Sequence, residues 1–185
     1  MKRTKKVSIK AVFFAFFFIV SCHSNSSANK INFLKQIENN HIKAIIVLST
    51  DCPICQKYQG SFLPIIKKYH QKVDFIFLFP NQAQDSSFIQ FCNYDSLFSC
   101  KIKPTAMAND FQFLKVWGVT TTPQLIILNN KNKQVYSGKI DDRFLSLGNQ
   151  KPPSENYLEK VLNSLLKNEE VKTENTEPIG CIIQY

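Results

Sequence analysis

The sequence predicts an α/β fold with a central mixed sheet flanked by helices, and three observations carry that expectation. An apolar run from Ile42 to Leu48 stops at a cysteine loop and is followed by Tyr58, Phe62, Ile65, Ile66 and Tyr69 at helical spacing. A second apolar run, Val73 to Phe79, comes next. Two later runs, Gln124 to Leu128 and Gln134 to Ile140, flank Asn129-Asn130-Lys131-Asn132-Lys133, which is turn chemistry and predicts a hairpin. A strand–helix–strand crossover makes the first two strands parallel. The hairpin is antiparallel, so the sheet is mixed.

Taken in order, Ile31 to Ile37 spaces apolar residues as a helix would. Ile42 to Leu48 is so nearly continuous in apolar residues that a buried central strand is expected. Pro53 suits a first helical turn, where its missing N–H costs nothing. Pro64, inside the same helix, predicts a kink because it removes a bond to residue 60. Pro80-Asn81 ends the second strand. Residues 81–108 read as an insertion, with a helix over Ser86 to Tyr94. Asn109 or Asp110 would cap a further helix reaching Trp117 and closed by Gly118. A last helix fits Ser154 to Leu166, with Tyr157, Leu158, Val161, Leu162 and Leu165 on one face.

The N-terminus assigns a compartment. Lys2, Arg3, Lys5, Lys6 and Lys10 precede an apolar stretch, Ala11 to Val20, too short to span a bilayer of about 30 Å as a helix. Residues 1–21 therefore read as a secretory signal. Ile19-Val20-Ser21-Cys22 resembles a bacterial lipobox, which makes Cys22 the lipidated first residue of the mature protein and the membrane anchor. Residues 22–30, polar and short of apolar side chains, read as a tether. The folded domain is expected over 31–167, and 168–185 as a polar tail carrying Cys181. Residues 1–21 hold five of the 23 basic residues and no acid, so 18 basic face 14 acidic groups in the rest, a net +4. That balance, without a basic stripe interleaved with aromatics, argues against nucleic acid as a partner. The remaining length suits one domain burying roughly two-thirds of its unfolded surface.

Six cysteines are the chemical signal. Cys52-Pro53-Ile54-Cys55 lies where a strand gives way to a helix. A thiolate at a helix N-terminus is stabilised by unpaired N–H groups and the helix dipole, which draws a cysteine pKa from about 8.5 towards roughly 3.5 to 7.5. Cys52 is thus the expected nucleophile. Cys55, one turn on, would resolve the mixed disulfide. Structural zinc would need a second ligand pair at comparable spacing, and Cys92 and Cys100 do not supply it. Those two are instead candidates for a disulfide across the insertion in an oxidising compartment.

These stretches, with "TTPQLIILN", "VYSGKIDDRF" and "TENTEPIGCII", resemble the thioredoxin-like superfamily, over about residues 30–167. Within it the chain looks closest to bacterial envelope redoxin-domain proteins related to the alkyl hydroperoxide reductase and thiol-specific antioxidant group. The resemblance implies a cis-proline at Thr122-Pro123 beside the disulfide, with Pro53, Thr122 and Pro123 supporting the site. It also implies that Cys181 accompanies the loop cysteine, as an auxiliary redox thiol able to reach Cys52; an exposed or structural thiol is the bland alternative. The expected function is a membrane-tethered thiol–disulfide oxidoreductase of the bacterial envelope, facing the periplasm. Its substrates would be protein thiols and disulfides, an envelope redox partner would recharge it, and its only redox group would be its own disulfide, with no metal or organic cofactor.

Two rivals share the fold. A peroxiredoxin resembles Pro-x-x-x-Thr/Ser-x-x-Cys with a late arginine; Ser49 and Arg143 fit, but Ile45 stands at the proline position. A copper-delivery protein typically has CxxxC and a downstream histidine, whereas His23, His41 and His70 all lie at or before residue 70. Asp141 and Asp142 read as a solvated pair or a cap rather than an acid/base site, since neighbouring extended residues point apart.

Overall fold

The computed structural model describes residues 40–80, 114–115 and 117–185. The signal and tether with Cys22, the helix expected at 31–37, and the insertion with Cys92, Cys100 and the cap at Asn109 or Asp110 lie outside the described residues.

Strand β1 (Ile42–Val47) leads through the cysteine loop into helix α1 (Pro53–Tyr69), which returns to β2 (Val73–Leu78), parallel to β1. Strands β3 (Thr121–Thr122) and β4 (Gln124–Leu128) flank Pro123, and β5 (Gln134–Gly138) follows the asparagine turn. A small pair, β6 (Phe144–Ser146) and β7 (Asn149–Gln150), precedes helix α2 (Tyr157–Leu166), and β8 (Cys181–Ile182) ends the chain. The main sheet runs β2-β1-β4-β5, with β4 antiparallel to both β1 and β5. The expected central mixed sheet is therefore present.

The continuous apolar character of β1 has a direct cause. Ile42, Ala44 and Ile46 face one core with the inner face of α1 (Ile54, Tyr58, Phe62, Ile66) and with Leu158, Val161 and Leu162 of α2. Ile45 and Val47 face a second core with Leu114, Trp117, Val119 and Ile126. A strand covered on both faces has no solvent side on which to place polar residues.

Two boundaries differ from the sequence reading. Helix α2 starts at Tyr157 rather than Ser154, because Asn156 is its cap and accepts a hydrogen bond from Glu159 N–H. Ser154 instead donates to Asp142. Strand β5 stops at Gly138 rather than Ile140: Gly138 has φ +148°, and a Cβ there would lie 2.2 Å from the Thr176 carbonyl oxygen. Helix α1 carries Pro64 without interruption; the carbonyl it cannot pair with belongs to Gly60, which is exposed.

The polar stretch after Lys167 is built into the domain as a strap. Asn175 accepts from Ser137 N–H, Thr176 Oγ1 accepts from Lys139 N–H, and Tyr136 and Thr176 share a hydroxyl contact of 2.8 Å. Val171, Ile179 and Cys181 pack on the first core, and Ile183 enters the second. Among the described residues no helix is long and apolar enough to cross a membrane.

Candidate functional site

The site assembles where the C-terminal end of β1, the start of α1 and the β3–Pro123 segment meet. Cys52 is the N-cap of α1 with an extended backbone, Pro53 begins the helix, and the first turn holds no acidic residue. The acidic residue nearest this positive end of the helix dipole is Asp51, just before the cap. The Thr122–Pro123 peptide is cis, as the resemblance implied. Cys52 Sγ lies 3.1 Å from the Thr122 carbonyl oxygen, which the thiol of the reduced form can donate to.

Cys52 is joined to Cys181 in a disulfide, across 129 residues of sequence and a Cα–Cα distance of 6.0 Å. The structure thus pairs Cys52 with the distant cysteine rather than with Cys55. The backbone explains how Cys181 is delivered: β8 lies antiparallel on β3, with Thr122 opposite Cys181 and Thr121 opposite Ile182. Cys55 is a free thiol with no exposed surface, and Ser49 N–H donates to its sulfur over 3.4 Å. Burial pushes the Cys55 thiol up to about 11, against the opposing pull of the Ser49 and Thr122 hydrogen bonds. Both loop cysteines are buried, and what differentiates them is their partners: Cys52 caps the helix start and is bonded to Cys181 at the β3 edge, whereas Cys55 is a free thiol against the Ser49 N–H.

Asp141 is the residue the sequence misrepresents. It is 2 % exposed, accepts a 2.7 Å hydrogen bond from Tyr58 Oη, and pairs with Arg143 through both guanidinium Nε and a terminal nitrogen. Arg143 also lies over the Tyr58 ring, 4.3 Å from its centroid. Desolvation first, and then the Asp141 charge, hold the Tyr58 hydroxyl protonated far above its ordinary range. Tyr58, Pro123, Asp141 and Ile179 line one small hollow. The signal for this cluster was the Asp-x-Arg spacing, but its third member lies 83 residues away. Asp142 does not cap α2, whose N-cap is Asn156; its carboxylate accepts from the N–H groups of Ser154 and Glu155 in the turn before the helix and contacts Lys151, which holds it well below the usual carboxylate range, the Glu155 bond contributing most. Arg143, the arginine a peroxide site would require, is committed to Asp141. Among the described residues no three His, Cys, Asp or Glu side chains gather as a metal site would need.

No family model and no curated protein matches the chain. Solved structures do. An uncharacterised conserved protein of Geobacillus kaustophilus aligns at TM-score 0.65 and 21% identity, covering 82% of this chain and 81% of that one. A hypothetical protein of Sinorhizobium meliloti aligns at 0.64 and 19%, covering 82% and 84%. A secreted disulfide oxidoreductase of Mycobacterium tuberculosis overlaps less, at 0.42 and 12%, covering 52% and 67%. What the two long alignments share with this chain is the fold. With a parallel β–α–β unit, an antiparallel return and a cis-proline opposite the head of the helix, that fold is thioredoxin-like.

Proposed function

We propose that the protein is a thiol–disulfide oxidoreductase acting on protein clients, with Cys52 as nucleophile and Cys55 as resolving thiol. The observation that carries this reading is the placement of Cys52: at the head of α1, against the Thr122 carbonyl, and already engaged in a disulfide with a strand lying on Thr121–Thr122. In the reductive direction the Cys52 thiolate attacks one sulfur of a client disulfide and expels the other as a thiolate. The Cys55 thiolate then attacks Cys52 Sγ, forming Cys52–Cys55 and releasing the second client thiolate. The client gains two electrons, the protein loses two, and each expelled thiolate takes up a proton. Run backwards, the same steps oxidise a client dithiol. Pro53, Thr122 and Pro123 shape the site, and no organic cofactor takes part.

The N-terminal reading places this chemistry in the bacterial envelope, with Cys22 as lipid anchor and an envelope redox partner restoring the active form. The resemblance of the cysteine loop, "TTPQLIILN", "VYSGKIDDRF" and "TENTEPIGCII" to envelope redoxin-domain proteins supports that placement.

The test is a redox titration of the full chain in glutathione buffers, with Cys52→Ser and Cys55→Ser variants alongside. A reversible two-electron couple that needs Cys52, coupled to turnover of a protein disulfide, is the expected result. A potential near −270 mV would mark a reductase and one near −120 mV an oxidant. Peroxide consumption without protein-disulfide turnover would overturn the reading in favour of a thiol peroxidase.

A further inference from the structure

The strap is seated in a manner that describes a ligand. Cys181 lies opposite Thr122 in antiparallel register, with its sulfur on Cys52. Immediately before it, Gly180 approaches so closely that a Cβ would stand 2.1 Å from the Thr122 carbonyl oxygen and 2.6 Å from its carbon, both backbone atoms. Ile182 is 82% exposed, whereas Ile183 is 9% exposed and enters the second core, its N–H donating to the Thr120 carbonyl over 2.9 Å. Tyr185 Oη donates to the Val119 carbonyl over 2.8 Å. An extended segment of pattern Gly-Cys-x-apolar thus uses its backbone, its missing side chain, its sulfur and one apolar anchor together.

Resting on the oxidoreductase reading above, we propose that residues 180–183 are a tethered surrogate client: they fill the client edge, and true clients are extended segments with glycine just before the reactive cysteine and an apolar residue two positions after it. The strap leaves by internal exchange. The Cys55 thiolate attacks Cys52 Sγ, the Cys52–Cys181 bond breaks, Cys52–Cys55 forms, and Cys181 departs as a thiolate that takes the proton Cys55 gave up. No outside oxidant or reductant is needed. Because the strap is covalently tethered, it competes at an effective concentration of order millimolar, which an external client must overcome.

The experiment uses the full-length reduced chain in a Cys181→Ser background, where the strap can dock but not crosslink. Peptides ending in Gly-Cys-Ile-Ile or Ala-Cys-Ile-Ile, activated as mixed disulfides with thionitrobenzoate, report reaction at Cys52 by release of the coloured thiol. The glycine peptide should react at least tenfold faster than the alanine peptide. Undocking the strap by Gly180→Val, or independently by Ile183→Ser, should raise the rate for the glycine peptide about tenfold while keeping that preference. Equal rates for the two peptides, or strap variants that change nothing or erase the preference, overturn the surrogate-client proposal and leave the oxidoreductase reading standing. If no peptide reacts with Cys52 in any variant, both fall.

Discussion

Two Ile-Ile dipeptides, one in β1 and one at the end of β8, have different fates. Ile45 and Ile46 of β1 are both fully buried, on opposite faces of a sheet that is covered on each side. Ile182 and Ile183 straddle the end of β8; the first is 82% exposed and the second 9%. Both pairs obey the alternation of an extended chain. What differs is how many layers surround the strand. β1 is held by two neighbouring strands and two cores, β8 by a two-residue ladder, one apolar anchor and one disulfide.

The largest break in that comparison should come from removing the covalent link. A crosslink closing 129 residues constrains the unfolded chain by up to about 5 kcal/mol in the loop-entropy model, so chemical denaturation of the oxidised protein should have a markedly higher midpoint than that of Cys181→Ser. Amide exchange should then quicken at Ile183 while Ile45 and Ile46 stay protected.

Within β1, Ile46→Ala and Ile45→Ala should each cost about 2–5 kcal/mol, since either leaves a cavity in a closed core. Equilibrium unfolding in urea measures this, and a near-neutral effect for either residue would mean that one face of the sheet is open.

Next in size is a pH effect at Cys55. Its thiol titrates near 9.0 when unperturbed and near 11 in the fold. Between those values the unfolded chain holds fewer protons, so stability is full below about pH 9 and falls as pH rises towards 11, by up to about 2–3 kcal/mol. Cys55→Ala should flatten the slope between about pH 9 and 10 and reduce it above, where Tyr58, Tyr136 and Tyr185, also raised by burial, still contribute, and pH-dependent unfolding of the two proteins in parallel measures the difference.

The smallest effects belong to β8. Ile183→Ala should cost about 1–2 kcal/mol, less than the β1 substitutions, because a strand held by a two-residue ladder can relax around the space left. Ile182→Ala should stay within about 0.5 kcal/mol. If the two cost the same, the strap is not seated as described.

Much of the site's local half was legible in sequence. A strand-forming run, a cysteine, a proline at the first helical position and a second cysteine one turn on specify a helix-capping thiol from neighbours alone, and Cys52 stands where that reasoning puts it. The Asn-rich turn likewise gives the β4–β5 hairpin. Asp141 resisted, because adjacent acids in an extended stretch are ordinarily solvated, and only the fold brings Tyr58 and Arg143 around one of them.

What the sequence determined by itself was every feature whose cause lies within a few residues: the strand and helix periods, the helix start at Pro53, the turn chemistry, and the chemical identity of the loop thiols. The tertiary structure alone decided which sulfur Cys52 would meet. A polar, apolar-poor segment has no periodicity to betray a docking site, because its ordering comes from single contacts: Thr176 against Gly138, Gly180 against the Thr122 carbonyl, Ile183 into the second core. Those partners are far away in the chain, and only the closed fold brings them within reach.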